Sequence, residues 1–432
     1  MLLDHLAAQL QARDANHLRR RLRVRDGTTG GQMCFAGQAR LAFCSNDYLG
    51  LSQHPRTIEA LAEGAQRYGA GSGASPLISG HTAADAALQT VLAEWLAPHI
   101  PGAQTLYFGS GFAANMALLT TLGDAQATIF SDKLNHASII DGAQLAQAVV
   151  ARYPHANIAW LARKLAACTT PIKLIVTDAV FSMDGSLAPL PALLALAEAH
   201  DAWLIVDDAH GFGMLGPQGR GALSHFGLCS QRLIYMATRG KAAGVAGAFV
   251  AAHPLVIDWL VNTARHYIYS TAAPPALAHA LLTSLHIIES DEGAARRAQL
   301  QLLVQLLQAG LPAAVAPYGW QLAASATAIQ PLLVGSNATA LALAAALDAQ
   351  GIWVPAIRPP TVPVGTARLR ITLSAEHTAA DVHQLIDAVA KAARGMQAPI
   401  STSSPKPAPP APPATVQPPQ HNLPAPARQA HP

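Results

Sequence analysis

An aspartate and a lysine, about thirty positions apart, carry the side chains in this sequence that could do chemistry together. Asp207 follows a very apolar predicted strand at 202–206, and burying a carboxylate there is costly unless a cation or a donor pairs with it. Lys241 lies in a loop of small residues at 238–244, where partial desolvation would make its amine easier to deprotonate for Schiff-base formation. Taken alone, the aspartate would more often be a helix cap or an ion-pair partner, and the lysine a surface residue. Together they are the two groups that pyridoxal phosphate requires, a carboxylate for its pyridinium nitrogen and an amine for its imine.

A phosphate site and a flat surface for the ring should accompany these two residues. The segment 109–112 is Gly-Ser-Gly-Phe between a predicted strand and a predicted helix, so it supplies free amides at a helix N-terminus. His136 is the candidate for the flat surface, although a lone histidine is more often structural. The sequence therefore predicts a site built from Asp207, Lys241, His136 and this glycine-rich segment.

A second glycine-rich segment matches a nucleotide-binding motif but lacks the context that the motif needs. Residues 211–216 read G-x-G-x-x-G after a predicted strand, which on its own would suggest a dinucleotide site. The residues at 207–210 separate the strand from the glycines, and Pro217 follows where a helix should run. We therefore interpret 211–216 as a loop.

Short apolar runs alternate with helical patterns, which is typical of a mostly parallel sheet covered by helices on both faces. The predicted strands are 104–108, 128–130, 173–177, 202–206, 232–236 and 247–251, and the predicted helices are 82–96, 112–120 and 191–200. The second half is different, and its predicted elements are long helices at 274–310, strands at 329–334 and 367–374 with a helix between them, and a final helix at 379–393. This order of elements predicts a smaller α+β domain in the second half of the chain.

The domain organisation follows from these patterns. We expect an N-terminal arm and helix at 1–45, a large cofactor-binding domain at 46–285, a small C-terminal domain at 286–395 and a proline-rich tail at 396–432. Twelve of the 31 prolines lie from Pro399 onward, and a composition so poor in large apolar side chains cannot bury enough surface to fold. The tail is therefore predicted to be disordered.

Composition argues against several classes of function. Only 12% of the 432 residues are charged and 5% are aromatic, with a formal net charge of +3, so we expect no nucleic-acid partner. No segment reaches the ~18 uninterrupted apolar residues of a membrane-spanning helix, and the N-terminus lacks the order of a secretory signal. We therefore expect a cytoplasmic protein with no membrane partner. The four cysteines lie far apart without a C-x-x-C pair, so no metal site is predicted.

Several motifs together carry a resemblance to a known family. They are SNDYLG at 45–50, GSGAS at 71–75, SG at 79–80, GFAAN at 111–115, HAS at 136–138, VFSMDG at 180–185, DDAH at 207–210 and YSTAAPP at 269–275. Over residues 18 to 393 the chain resembles the α-oxoamine synthases, which are pyridoxal-phosphate enzymes with the aspartate-aminotransferase fold (PLP fold type I). The resemblance implies an α/β protein with a large, mostly parallel-sheet domain and a smaller C-terminal α+β domain. It also implies a homodimer with shared active sites.

The resemblance assigns roles to individual residues. Lys241 would hold the cofactor and move protons at the substrate α-carbon, Asp207 would pair with the pyridine nitrogen, and His136 would stack on the ring and donate to the acyl carbonyl. The other implied cofactor contacts are Ser182 and His210 at the ring oxygen, and Gly111, Phe112, Thr238 and Thr271 of the partner subunit at the phosphate. The implied substrate contacts are Arg370 for the amino-acid carboxylate, Asn46 near the amino acid, and Arg19, Arg358 and Thr361 near the acyl group.

The C-terminal segments IRPPTVP at 357–363 and GTARLR at 365–370 look most like the family member of biotin biosynthesis. That member implies a decarboxylative condensation of L-alanine with a pimeloyl thioester, carried on coenzyme A or on acyl-carrier protein, which releases carbon dioxide and the free thiol carrier. Two alternatives stay open. The chain could be a sister synthase, such as one like 2-amino-3-ketobutyrate CoA ligase, or a catalytically silent paralogue that binds pyridoxal phosphate.

Several positions depart from the usual pattern of the family, among them Ala242 and Ala243 after the lysine and Gln89 in place of a glutamate. Arg239 stands two residues before Lys241, where an apolar residue is more usual, and we expect its guanidinium to point to solvent. Asp178 stands where a glutamate is common, and Asp85 where a histidine is usual. None of these changes removes a group that the chemistry needs.

Overall fold

The computed structural model describes residues 1–396, so the tail predicted at 396–432 lies outside the described residues except for Met396. The helices are α1 (Leu2–Ala15), α2 (Pro55–Tyr68), α3 (Ala83–Leu96), α4 (Gly111–Leu122), α5 (Ala137–Leu145), α6 (Ile158–Ala166), α7 (Leu190–Ala199), α8 (Ala222–Phe226), α9 (Pro254–Thr263), α10 (Arg265–Ile268), α11 (Pro275–Glu289), α12 (Asp291–Val315), α13 (Asn337–Asp348) and α14 (Ala379–Met396). The strands are β1 (Gln32–Phe35), β2 (Gln38–Ala42), β3 (Gln104–Phe108), β4 (Ala127–Asp132), β5 (Val149–Tyr153), β6 (Ile172–Asp178), β7 (Trp203–Asp207), β8 (Leu233–Thr238), β9 (Ala248–Ala252), β10 (Gln321–Leu322), β11 (Ile329–Gly335), β12 (Ile352–Trp353), β13 (Ala356–Ile357) and β14 (Ala367–Thr372).

A seven-stranded sheet has the order β3-β9-β8-β7-β6-β4-β5. The pairs from β5 to β8 are parallel, whereas β9 runs antiparallel to both of its neighbours. The predicted mostly parallel α/β sheet is confirmed, and the six predicted strands match observed ones closely. The edge strand β5 was not predicted, because most of its residues are exposed and it lacks the apolar run of a central strand.

Both faces of this sheet are buried, which explains why its strands read as continuous apolar runs. Along β7, Leu204 and Val206 pack into one hydrophobic cluster, while Ile205 packs into the cluster on the other face. Parallel strands bring their carboxyl ends to the same edge, and Asp178 at the end of β6 pairs in register with Asp207 at the end of β7. Polar side chains from neighbouring strands therefore collect at this edge, where open α/β sheets place their ligands.

A four-stranded antiparallel sheet in the second half has the order β10-β11-β14-β13. Strands β11 and β14 are the two predicted there, and α13 is the helix predicted between them. Helix α14 packs against α12 and α13. The α+β character predicted for this half is confirmed. Residues 1–396 form one compact unit, so the domain boundaries predicted within them stay predictions.

The glycine-rich segment 211–216 forms consecutive turns, and α8 does not begin until Ala222. Gly213 and Gly216 have φ angles of 83° and 74°, which favour glycine over residues with a Cβ. The interpretation of this segment as a loop is confirmed.

By length and composition, one helical stretch among the described residues could cross a membrane, at Asp291–Tyr318. In the fold this stretch contacts α11 and α14, and it buries Leu300, Leu303 and Leu307. Its apolar residues thus belong in part to the protein core.

Candidate active site

A cavity of about 170 Å³ lies at the carboxyl edge of the large sheet, beside the first turns of α4 and α5. It is lined by these residues that the sequence predicted to hold the cofactor: Gly111, Phe112, His136, Ser182, Asp207, His210, Thr238 and Lys241. The fold thus brings together groups spread over more than a hundred positions of sequence.

Lys241 follows β8 and presents its amine to this cavity. Burial, with a smaller contribution from the positive charge of Arg370, lowers its pKa from 10.5 to about 8, against the opposing charges of Asp207 and Asp178. The amine Nζ lies 2.9 Å from His210 Nε2. A lysine with this pKa has an accessible neutral form near physiological pH, as an imine-forming or proton-moving lysine needs.

The carboxylate of Asp207 is 5% exposed and is held by two donors. Asn115 Nδ2 donates to Oδ2 at 2.7 Å, and the backbone N–H of Ala209 donates to Oδ1 at 3.0 Å. The neighbouring Asp178 is also buried, and burial together with the charge of Asp207 raises the pKa of Asp178 well above its ordinary value. Asp207 therefore has the hydrogen bonds that the sequence argument required, and its side chain lines the cavity, where it can accept from a further donor.

Hydrogen bonds from neighbouring residues decide which ring nitrogen of His136 carries the proton. Asn115 Nδ2 donates to Ser138 Oγ at 2.9 Å, which leaves the Ser138 hydroxyl to donate to His136 Nδ1 at 2.7 Å. The Ser138 backbone N–H is directed at the same Nδ1, 3.2 Å away. Burial lowers the pKa of His136, so the ring is neutral and its proton is on Nε2. His136 can thus donate a hydrogen bond to a group in the cavity.

The N-terminus of α4 has the geometry of a phosphate cradle. Ser110 caps the helix by accepting from the Ala113 backbone N–H at 3.2 Å, and the first-turn amides of Gly111 and Phe112 have no partner within the helix. A Cβ at Gly111 would collide with the methyl group of Thr238, so glycine allows Thr238 to pack directly against the start of α4. The free amides of Gly111 and Phe112, with Thr238 beside them, fit an anion at a helix N-terminus.

Arg370, on β14 of the second sheet, does not line the 170 Å³ cavity but contacts Ser182, which does. Its Nε donates to the Ser182 carbonyl at 2.5 Å, and its Nη1 donates to Asn46 Oδ1 at 3.2 Å and to Thr372 Oγ1 at 3.0 Å. The predicted amino-acid contacts Arg370 and Asn46 are therefore in direct contact with each other.

The residues predicted near the acyl group are only partly together. Arg358 and Thr361 line a separate cavity of about 60 Å³, and Arg20 also lines it and donates to Thr361 Oγ1 at 3.0 Å. Arg19 is absent from this lining because its guanidinium pairs with Asp14 at 3.0 Å. Thr271 is exposed between α10 and α11 and does not line the 170 Å³ cavity.

Arg239 differs from its prediction. It is fully buried, its guanidinium lies 3.8 Å from the centre of the Tyr107 ring, and its Nη2 donates to the Ala246 carbonyl at 2.8 Å. The expectation that it points to solvent is wrong, because the chain after β8 folds back over this side chain through Gly247, where a Cβ would collide with the guanidinium. The cation that acts on Lys241 is Arg370, which is distant in sequence.

Sequence reasoning missed three side chains that organise the site, namely Asn115, Ser138 and Tyr48. Each lies inside a motif that was recognised, GFAAN, HAS or SNDYLG. The motifs therefore carried a signal for these residues, but their contacts join elements that are far apart in sequence.

The donor set fits pyridoxal phosphate. A buried carboxylate, a lysine whose pKa is lowered and a helix N-terminus beside Thr238 face the same cavity, and these match the pyridinium, aldehyde and phosphate groups of the cofactor. Ser182 and His210 add polar groups to the lining.

Sequence comparison places the chain among known enzymes. Residues 40–389 match the family model of aminotransferase class I and II. A relative from Polaromonas sp. (strain JS666), named 8-amino-7-oxononanoate synthase 2, is 66% identical over 402 residues, covering 91% of this chain and 99% of the relative. The 8-amino-7-oxononanoate synthase of Leptothrix cholodnii is 64% identical over 405 residues, with 91% and 99% covered.

Solved structures give the same fold. A serine palmitoyltransferase from S. paucimobilis, solved with a PLP-myriocin adduct, superposes with a TM-score of 0.82 at 27% identity, covering 91% of this chain and 97% of that chain. The 8-amino-7-oxononanoate synthase of Francisella tularensis has a TM-score of 0.70 at 30% identity, with 82% and 98% covered. The predicted PLP fold type I is confirmed. This chain is therefore a pyridoxal-phosphate-dependent enzyme of the 8-amino-7-oxononanoate synthase family.

Proposed function

We propose that this chain condenses L-alanine with a pimeloyl thioester to give 8-amino-7-oxononanoate. The observation that carries the proposal is the convergence of Lys241, Asp207 and His136 on one cavity. In the overall reaction, a carbon–carbon bond forms between the alanine α-carbon and the acyl carbon. The thioester carbon–sulfur bond breaks, the alanine carboxyl leaves as carbon dioxide, and the carrier leaves as a thiol.

Each part of the cofactor has a matching group in the cavity. Lys241 would bind it covalently, Asp207 would pair with the pyridine nitrogen, and His136 would stack on the ring. The remaining contacts are Ser182 and His210 at the ring oxygen, Gly111, Phe112 and Thr238 at the phosphate, and Thr271 of the partner subunit, also at the phosphate. When bound, pyridoxal phosphate supplies an electron sink for the negative charge that develops on the α-carbon.

Lys241 removes the α-proton of alanine and later returns a proton to that carbon. Its pKa of about 8 supports this role, because a general base works best when its pKa lies near the operating pH. The Asp207 carboxylate, which accepts from Asn115 and from the Ala209 amide, would stabilise a protonated pyridine nitrogen.

His136 donates from Nε2 to the thioester carbonyl as negative charge develops on that oxygen. The tautomer set by Asn115 and Ser138 supports this role, since it leaves Nδ1 occupied and Nε2 protonated. A donor that is already oriented stabilises the developing charge without reorganising during the reaction.

The substrate ends are held by arginines. Arg370 binds the amino-acid carboxylate, with Asn46 beside it. We assign Arg358, Thr361 and Arg19 to the acyl end, and the contact between Arg20 and Thr361 supports a basic environment there. Arg19 would have to leave Asp14 when the acyl substrate binds.

The exposed position of Thr271 supports a homodimer in which each subunit completes the phosphate site of the other. We also propose that the enzyme is cytoplasmic, because its proposed substrates are a soluble amino acid and a thioester on coenzyme A or acyl-carrier protein.

The test is turnover by the purified protein with pyridoxal phosphate, L-alanine and pimeloyl-CoA, followed by assays of free thiol and of 8-amino-7-oxononanoate. Lys241→Ala should abolish exchange of the alanine α-proton, whereas a matched change at the exposed Lys391 should not. Exchange at the wild-type rate in Lys241→Ala would refute the assignment of Lys241. Spectral change with alanine but no product would redirect the proposal to a sister synthase with another acyl donor, and no response to any amino acid would favour the silent paralogue.

A further inference from the structure

A series of hydrogen bonds leads from Lys241 away from the cavity. Lys241 Nζ lies 2.9 Å from His210 Nε2, and His210 Nδ1 lies 2.5 Å from the Tyr48 hydroxyl. That hydroxyl lies 3.3 Å from Asn46 Oδ1, which also accepts from Arg370 Nη1 at 3.2 Å. Side chains from four separate parts of the sequence are thus linked in series.

The direction of each bond follows when Lys241 carries its charge. An ammonium group can only donate, so His210 Nε2 accepts and the ring proton is on Nδ1. That proton is donated to the oxygen of Tyr48, whose own proton is then donated to Asn46. Every donor in the series has an acceptor, and Asn46 Oδ1 accepts from both Tyr48 and Arg370.

The middle of the series can reverse when Lys241 is a neutral amine, because a neutral amine can accept as well as donate. The amine nitrogen can then accept from His210 Nε2, so Nδ1 becomes the acceptor for the Tyr48 proton. A hydroxyl permits both arrangements because it can donate and accept. In the second arrangement Tyr48 no longer donates to Asn46, so the series has one bond fewer than it has around the charged lysine.

Tyr48 acts on the lysine only through His210. Its side chain is 1% exposed and is absent from the lining of the 170 Å³ cavity. It lines a different cavity, of about 60 Å³, which His210 also lines. The Tyr48 hydroxyl therefore contacts His210, which lines the 170 Å³ cavity, and does not itself line that cavity.

We propose that Tyr48 is a positioning residue, which keeps His210 Nε2 facing Lys241 in both charge states of the lysine and transmits that charge state to Asn46 and Arg370. Its importance for catalysis rests on the proposed function, because the two ends of the series are the proposed proton-moving and carboxylate-binding groups. The hydrogen bonds themselves belong to the chain without cofactor, so they can be tested without turnover.

Other charged groups also face the two titrating side chains, and the test must leave them unchanged. Those acting on Lys241 are Asp207 and Asp208 from the end of β7, Asp178 from the end of β6, and Arg370 from β14. Those acting on His210 are Lys241, Arg370 and His136. Replacing Tyr48 with phenylalanine removes one hydroxyl and alters none of these groups.

The first experiment needs no variant at Tyr48. In cofactor-free wild-type protein labelled with ¹⁵N-histidine, the signal lost in His210→Gln identifies His210. At pH 6.5, where Lys241 is charged, we expect a neutral ring protonated at Nδ1. A ring protonated at Nε2 under these conditions would overturn the proposal, because Tyr48 would then be a donor to His210 with the lysine charged.

The second experiment measures the pH at which Lys241 becomes reactive. Cofactor-free protein is labelled with trace acetic anhydride between pH 6 and 11, and the labelling of Lys241 is read by mass spectrometry with exposed Lys391 as an internal reference. In Tyr48→Phe a charged Lys241 leaves the His210 Nδ1–H without its acceptor, whereas a neutral Lys241 permits the tautomer in which Nδ1 carries no proton. The pKa of Lys241 should therefore fall by about 0.5–1 unit.

The matched control is Tyr153→Phe. Tyr153 is also fully buried, and its hydroxyl has no hydrogen-bond partner among the described residues. We expect this variant to leave the reactivity profile of Lys241 unchanged. An unchanged profile in Tyr48→Phe as well would show that its hydroxyl is merely structural. Absence of product in the turnover assay would refute the proposed function but would leave both of these measurements unaffected.

Discussion

Replacing the buried lysine with methionine should stabilise the cofactor-free protein. Burial lowers the pKa of Lys241 from 10.5 to about 8, so the folded state holds the ammonium form less well than the unfolded state does. One pKa unit corresponds to 1.36 kcal/mol, so a shift of about 2.5 units destabilises the folded protein by about 3 kcal/mol at pH 7. Lys241→Met removes this penalty and loses the hydrogen bond to His210, which contributes about 1 kcal/mol. The expected gain in the free energy of unfolding is about 2 kcal/mol.

The gain should depend on pH in one direction. Below pH 8 both the folded and the unfolded state hold the proton, so the full penalty is present in the wild type. Between pH 8 and 10.5 the folded state has released the proton while the unfolded state still binds it, and the stability of the wild type rises with pH through this window. The advantage of Lys241→Met should shrink over the same window.

Urea denaturation of cofactor-free wild type and Lys241→Met at pH 7, 8, 9 and 10 measures this difference. Lys391→Met is the matched control, because Lys391 is exposed and its replacement buries no charge. A loss of stability in Lys241→Met at pH 7, or a gain that stays constant up to pH 10, would refute the reasoning that burial of the amine destabilises this site.

Two other buried groups make separate predictions. Burial raises the pKa of Asp208 to about 7, so the folded state binds a proton that the unfolded state releases near pH 4, and stability should fall as pH rises from about 4 to 7. Asp208→Asn should remove that slope in thermal melts recorded across this range, and a wild-type slope in the variant would contradict the assignment. The guanidinium of Arg239 is fully buried, with Nε and Nη1 lacking hydrogen-bond partners among the described residues. Arg239→Met should therefore leave the free energy of unfolding unchanged or raise it by up to about 2 kcal/mol, whereas Arg239→Ala should lower it by about 2–4 kcal/mol through the cavity it leaves; equal losses in both variants would show that the charge itself is stabilising.

The cofactor site was largely predictable because its residues lie where local patterns end. Asp207 and Thr238 lie at the ends of apolar strands, and Gly111 begins a helix, so each position could be inferred from the sequence around it. Parallel strands that end at one edge then bring such residues together without further information.

The acyl end was less predictable because side-chain direction there depends on competing partners. Arg19, Arg20 and Arg21 are consecutive in the sequence, and nothing local distinguishes them. In the structure Asp14 pairs with Arg19, while Thr361 accepts from Arg20. Which arginine is available for the acyl substrate depends on which partner the fold places within reach of each guanidinium.

Arg239 shows the limit of reasoning from residue type. A charged side chain beside a loop is usually solvated, and the sequence offered no reason to expect otherwise. Tyr107 and Gly247 close over it only because β3, β8 and β9 are neighbours in the sheet. Strand order is a long-range property that no local pattern contains.

The sequence by itself determined the class of fold, the family and most of the groups that line the candidate cofactor cavity, because hydrophobic periodicity, turn residues and short motifs are local. The tertiary structure alone decided the state in which those groups work. The lowered pKa of Lys241, the tautomer of His136 and the series from Lys241 through Tyr48 to Arg370 depend on burial and on distances of about 3 Å between residues far apart in the chain. Electrostatic and hydrogen-bond energies change steeply over such distances, so they are set by packing and not by composition.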